Sequence, residues 1–115
     1  MIKLVALIRR NPDLTPEAFR DYWSNVHVPM IKERLPSLVR YTGSFAVDPS
    51  GVVEEGIESD FDAIVELCFA DRESMERDMN GPGFQASDRN DSSAQLMDLA
   101  NTRALVLEEV KVDLS

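Results

Sequence analysis

The chain has 115 residues, with 21 acidic against 12 basic side chains, one His, one Cys and 43% hydrophobic residues. A formal net charge of −9 excludes a phosphate-neutralising nucleic-acid binder and disfavours docking on anionic membranes, while one Cys and one His exclude an intrachain disulfide framework and the usual zinc sites. The length supports one domain over residues 1–115, no apolar run reaches a membrane-spanning length, and Met1–Val5 breaks at Arg9-Arg10 without a signal-peptide pattern, so a cytoplasmic protein is expected.

Ile2 to Ile8 is short, Val/Ile/Leu-rich and nearly continuously apolar, which predicts a strand buried on both faces. A helix start follows in several layers: Thr15 as N-cap, Pro16 at the first helical position, Glu17 at the positive dipole end, and Leu14 and Phe19 placed as a hydrophobic staple. Phe19, Tyr22, Trp23, Val26 and Met30 form one apolar stripe at spacings of three and four. Pro29 predicts a break or kink near His27 before a further turn through Arg34.

Leu38 to Val47 alternates, with Val39, Tyr41, Phe45 and Val47 on one parity, and reads as a one-sided strand. Asp48 to Asp60 carries Pro49, Gly51, Gly56 and four acids, the composition of a solvated connection. Ala63 to Phe69 is a third strand, apolar on both parities except at Glu66. Asp71 can cap a short helix to Met79, Ser92-Ser93-Ala94-Gln95 has the form of a capping box for another through Ala100, and Ala104 to Val110 is a fourth strand. The order is a ferredoxin-like β-α-β-β-α-β with an extra short helix before the last strand, an α+β class with a four-stranded antiparallel sheet. Helices cover one face of such a sheet. Yet Val5 and Leu7 oppose Leu4 and Ile8, and Ile64 opposes Val65 and Leu67, so the second face needs a cover, most simply a second copy in a homodimer through the open sheet face.

Ile2-Lys3-Leu4-Val5, Leu14 to Phe19, the string Trp23-Ser24-Asn25-Val26-His27-Val28-Pro29, and Leu38-Val39-Arg40-Tyr41 after Leu35-Pro36 resemble the opening of the EthD domain. Phe61 to Phe69 and the closing Leu107-Glu108-Glu109 resemble its third and last strands, while Asp48–Asp60 has no counterpart. The resemblance implies the dimeric α+β barrel fold. That superfamily includes cofactor-free monooxygenases, lactone isomerases, dehydratases and cyclases of aromatic polyketides, and accessory or stress-responsive proteins, so the reaction stays open.

His27 is the one side chain with an ordinary pKa near neutrality, and it is read here as a general acid/base; the structural alternative is a helix-end His bonded to backbone carbonyls. Glu66, inside an apolar strand, must be paired or neutral. It is expected to orient His27 or act as a raised-pKa acid if its face meets the helix, or else to form a structural ion pair with an Arg such as Arg40 or lie exposed at the strand end. Tyr41 is the candidate donor to a developing oxyanion. Trp23, Tyr22, Arg40 and Cys68 complete the candidate set as ligand contacts, although Cys68 also suits a buried small hydrophobe. The Glu54–Asp62 and Asp88–Asp91 segments lack calcium-loop spacing, and no phosphate loop, nucleophile elbow or dinucleotide fingerprint occurs, so no metal and no cofactor are expected; haem through His27 would rest on a single histidine. The leading expectation is a cofactor-free enzyme moving a proton on a hydrophobic cyclic or aromatic small molecule by isomerisation, dehydration or cyclisation, or oxygenation. The alternative is a non-catalytic binding or accessory protein.

Overall fold

The computed structural model describes residues 1–115 as β1 (Ile2–Ile8), α1 (Pro16–Tyr22), a π-helical turn (Trp23–His27), α2 (Val28–Arg34), β2 (Leu38–Phe45), β3 (Ala63–Phe69), α3 (Arg72–Met79), α4 (Ser87–Leu96), a 3₁₀ turn (Leu99–Asn101) and β4 (Arg103–Glu108). All strands are antiparallel in the order β2-β3-β1-β4, with β1 and β3 central. This is the ferredoxin-like arrangement expected from the sequence. The shortest principal extent is 23 Å, which fits one sheet and one helical layer and nothing beyond.

Register divides the strand residues between the two faces. Leu4 pairs with Leu67, Ala6 with Val65 and Ile8 with Ala63, and these residues face the helices; Val5, Leu7, Ile64, Glu66 and Cys68 occupy the opposite face. The core gathers Ile8, Val65, Leu67 and Phe69 from the sheet against Phe19, Ile31, Leu35, Met75 and Leu96 from the helices. On the open face Ile64, Leu105 and Leu107 remain 41%, 50% and 37% exposed, so that face is only partly covered within one chain.

Thr15 caps α1 as expected, its Oγ1 accepting from Ala18 N–H at 3.1 Å. The chain neither breaks nor kinks apart at Pro29. Instead a π turn is inserted at Trp23–His27, with Val28 N–H donating to Trp23 O five residues back, and α2 follows directly. One extra residue in a helix rotates everything after it by about 100°. His27, Ile31 and Leu35 therefore turn inward and are buried, while Val26 is 44% exposed and Met30 half-buried, in place of the inward stripe through Val26 and Met30. A second slip occurs in β2, where a bulge at Val39 leaves that side chain 55% exposed and brings Leu38 onto the Tyr41 face.

The expected capping box at Ser92 is not one. Helix α4 begins five residues earlier, at Ser87, with Ala86 at its N-cap, and Ser92 and Ser93 lie buried in its interior. Asp71 does cap α3, accepting from Ser74 N–H at 2.8 Å. Buried Asp78 near the end of α3 accepts from Ser37 N–H at 2.7 Å and so ties that helix to the turn before β2.

Substitutions distinguish the π register from a regular one. Ile31→Ala should cost about 2–5 kcal/mol in chemical denaturation, and Val26→Ala within about 0.5 kcal/mol, because only the first leaves a core cavity. An uninterrupted α-helix predicts the reverse order.

Candidate functional site

Between the helices and the sheet lies a cavity of about 210 Å³. Its floor is the helix-facing side of β1 and β3, at Ala6, Ile8, Val65 and Leu67; its walls include Trp23, His27, Tyr41 and Phe84, with Arg89, Asn90 and Ser93 from α4. The size is below the range of about 300–1,000 Å³ common for drug-sized ligands, so it suits a small, one- or two-ring compound.

The π turn brings His27 to this cavity, where the residue is 7% exposed. Its Nδ1 lies 2.9 Å from Ser92 Oγ, and the same hydroxyl is 3.2 Å from the Tyr22 hydroxyl. Nε2 makes no hydrogen bond within the protein and is not among the sealed polar atoms. With Nδ1–H donating to Ser92 Oγ and Ser92 donating onward to Tyr22, Nε2 presents a lone pair; with the chain reversed, it presents an N–H. Burial first, then the nearby Arg89 charge, lower the His27 pKa to about 4, so the ring is neutral at pH 7.

Trp23 packs edge-on against Tyr41 and Phe45, with ring centroids 5.6 and 5.5 Å away. The indole reaches β2 because position 43 is Gly: a Cβ there would stand 2.5 Å from the indole ring. Its Nε1–H is buried beside the Tyr41 hydroxyl but outside hydrogen-bonding geometry, and has no other acceptor. Burial pushes the Tyr41 hydroxyl above its usual pKa, the indole opposing in part, so it stays protonated and able to donate.

Glu66 does not meet His27. It sits on the open face, where Oε1 accepts from Lys3 Nζ at 2.6 Å and Oε2 from Thr42 Oγ1 at 3.3 Å. The Lys3 bond holds its pKa below the usual carboxylate value, the opposite of a raised-pKa acid. Among the expected roles, ion pairing is the observed one, although the bonded partner is Lys3, not Arg40. Arg40 shares the open face, with Nη2 2.6 Å from Glu109, and Cys68 is fully buried there. Neither borders the His27 cavity. Arg40 instead lines an outer groove of about 580 Å³ beyond Trp23 and Tyr41, which holds Lys32 but no His. Tyr22 touches the site only through Ser92. No three His, Cys, Asp or Glu side chains cluster as a metal site.

Sequence reasoning missed Ser92, Ser93, Arg89 and Gly43. A signal for the first three was present: Arg89, Ser92, Ser93 and Leu96 recur at helical spacing, but their polarity hid the inward face from a hydropathy pattern.

The depressed His27 pKa makes stability pH-dependent. The unfolded ring takes a proton near pH 6.5 and the folded ring only near pH 4, so the neutral-ring contribution is complete above pH 6.5 and lost as pH falls. Unfolding free energy should drop by about 2 kcal/mol between pH 7 and pH 5. In His27→Gln that slope should disappear; a slope unchanged in the variant would show that another group titrates.

The family model for the EthD domain matches residues 11–100. No curated protein matches the sequence significantly. Among solved structures, an ethyl tert-butyl ether d (EthD) family protein of Bacillus halodurans superposes with a TM-score of 0.70 at 21% identity, over 96% of this chain and 99% of that one. SnoaB, a cofactor-independent oxygenase from Streptomyces nogalater, gives 0.64 at 14% identity over 99% and 97%. A dimeric ferredoxin-like protein of unknown function from Thermobifida fusca gives 0.60 at 16% over 92% and 88%. At these identities the structures share a fold with this chain, and the sequence match carries the family: the chain belongs to the EthD domain family.

Proposed function

We propose that the chain is a small cofactor-independent enzyme that moves a proton on a hydrophobic cyclic or aromatic small molecule held between its helices and sheet. The observation that carries this reading is the free Nε2 of His27 at an apolar cavity, with Nδ1 fixed by Ser92. A lone imidazole so placed can take a proton from a carbon or hydroxyl beside a carbonyl, and Ser92 and Tyr22 offer an outward path for hydrogen-bond rearrangement. Tyr41, held protonated, donates to the oxygen on which negative charge develops, and Trp23 forms the wall against which a ring packs. A base with a pKa of about 4 works well only on acidic protons. Phenols, naphthols and 1,3-dicarbonyl compounds are therefore favoured over simple ketones. The shared fold with a cofactor-independent oxygenase supports the same class of chemistry.

We propose further that residues 1–115 act as one unit and that two copies pair through the open sheet face. That face presents Leu7, Ile64, Leu105 and Leu107 beside an ionic cluster in which Lys3 bridges Glu66 and Glu109, and Arg40 binds Glu109. Lys3, Arg40, Glu66 and Glu109 thus enter an interface already partnered with one another, so no charge among these four is buried alone. Similarity to a dimeric ferredoxin-like protein supports the pairing.

Proton abstraction can be read without knowing the product. Wild-type protein incubated in D₂O with a panel of naphthols and cyclic 1,3-diketones should speed deuterium incorporation into at least one of them, and His27→Ala should lower that rate by about two orders of magnitude or more. Undiminished exchange by a folded His27→Ala protein removes His27 from the chemistry. For the assembly, sedimentation at micromolar concentration should give a dimer that Leu107→Glu dissociates; a wild-type monomer refutes it.

A further inference from the structure

Arg89 borders the same cavity, one helical turn before Ser92 and Ser93. Its guanidinium lies over the Phe84 ring at 4.2 Å, with Nε donating to Phe84 O at 2.6 Å and Nη1 reaching Ser93 Oγ at 3.4 Å. Those contacts fix its position and use two of its five N–H groups, leaving one on Nη1 and both on Nη2 without a partner in the protein. No carboxylate lies within ion-pair distance of it, in a chain with nearly twice as many acids as bases. The acid beside it in sequence is already taken: both Asp88 oxygens are bound by Arg34 at 2.6 Å, and Asp91 points to solvent. Burial, with the Arg34 charge adding, lowers the Arg89 pKa, as befits a cation lacking a counter-charge.

A fixed, half-buried guanidinium with an unspent edge at a largely apolar cavity is suited to receive a planar oxyanion. We propose that Arg89 recognises a carboxylate on the ligand, so that the substrates of this site are ring-bearing carboxylic acids whose apolar body lies over Ala6, Val65 and Leu67. This rests on the reading of the His27 cavity as the ligand site. The carboxylate at Arg89 sets one end of the molecule, and the ring is thereby carried past Nε2 of His27. Arg89 acts as a binding residue and takes no part in proton transfer.

The probes are 2-naphthoate and its neutral isostere 2-naphthamide, measured by calorimetry at pH 7. Wild-type protein should bind the acid about tenfold or more tighter than the amide. In Arg89→Met the preference should vanish with amide affinity retained, and Arg89→Lys should restore part of it. Equal affinity of the two compounds for the wild type, or a preference that survives in Arg89→Met, overturns the assignment and leaves the cavity standing as the ligand site. Failure of both compounds to bind overturns the cavity reading together with it. If Arg89→Met does not fold, the wild-type contrast and Arg89→Lys decide the matter. Loss of the catalytic reading, by unchanged deuterium exchange in His27→Ala, leaves the acid-over-amide contrast unaffected.

Discussion

Everything at the candidate site depends on one extra residue in a helix. The π turn at Trp23–His27 rotates the following segment by about 100°, and that rotation carries the single histidine of the chain from the border of the apolar stripe into the core. Pro29 is part of the reason this register is tolerated. It has no N–H to donate, so a regular helix would lose a bond at that point anyway, and a widened turn just before it sacrifices less. The cost is recovered further on, where Ile31 and Leu35 enter the core in place of Met30 and Arg34. Burial of His27 then dictates its chemistry: desolvation keeps the ring neutral, and Ser92 holds one nitrogen so that the other is free.

The sheet separates two environments that the sequence interleaves. Along β3, Val65 and Leu67 form the floor of the cavity, while Glu66 between them belongs to an ionic cluster on the other side. The alternation also removes every carboxylate from contact with His27, so nothing raises its basicity. The open face and the cavity therefore draw on different side chains of the same strands.

Hydropathy made the strands legible. The two-sided apolarity of Ile2–Ile8 and Ala63–Phe69 marked them as the central pair, and β1 and β3 have those bounds. Period two tells which residues share a face, placing Glu66 with Ile64 and Cys68; it cannot tell which face the helices cover, and the condition for a His27–Glu66 contact is not met. The π turn was invisible because Val26 and Met30 complete an apolar stripe as well as Ile31 and Leu35 do. Helix α4 was misplaced for a related reason: three of its inward side chains, Arg89, Ser92 and Ser93, are polar, and their serine pair imitates a cap. The bulge at Val39 likewise leaves no trace in a pattern that counts alternate residues.

Those illegible positions are the ones that build the site. A hydropathy pattern reports what folds the chain, and a ligand site departs from it, because polar groups there are satisfied by a ligand or by one another instead of by the core. Ser92 takes its partners, His27 and Tyr22, from 65 and 70 residues away, and the unspent donors of Arg89 and Trp23 have none within the protein. An indole N–H left unbonded and a guanidinium without a counter-charge each destabilise the folded protein slightly. Both belong to residues that line the cavity of His27, but they differ in access: the indole N–H is sealed from solvent, and the half-buried guanidinium is the one a ligand could reach.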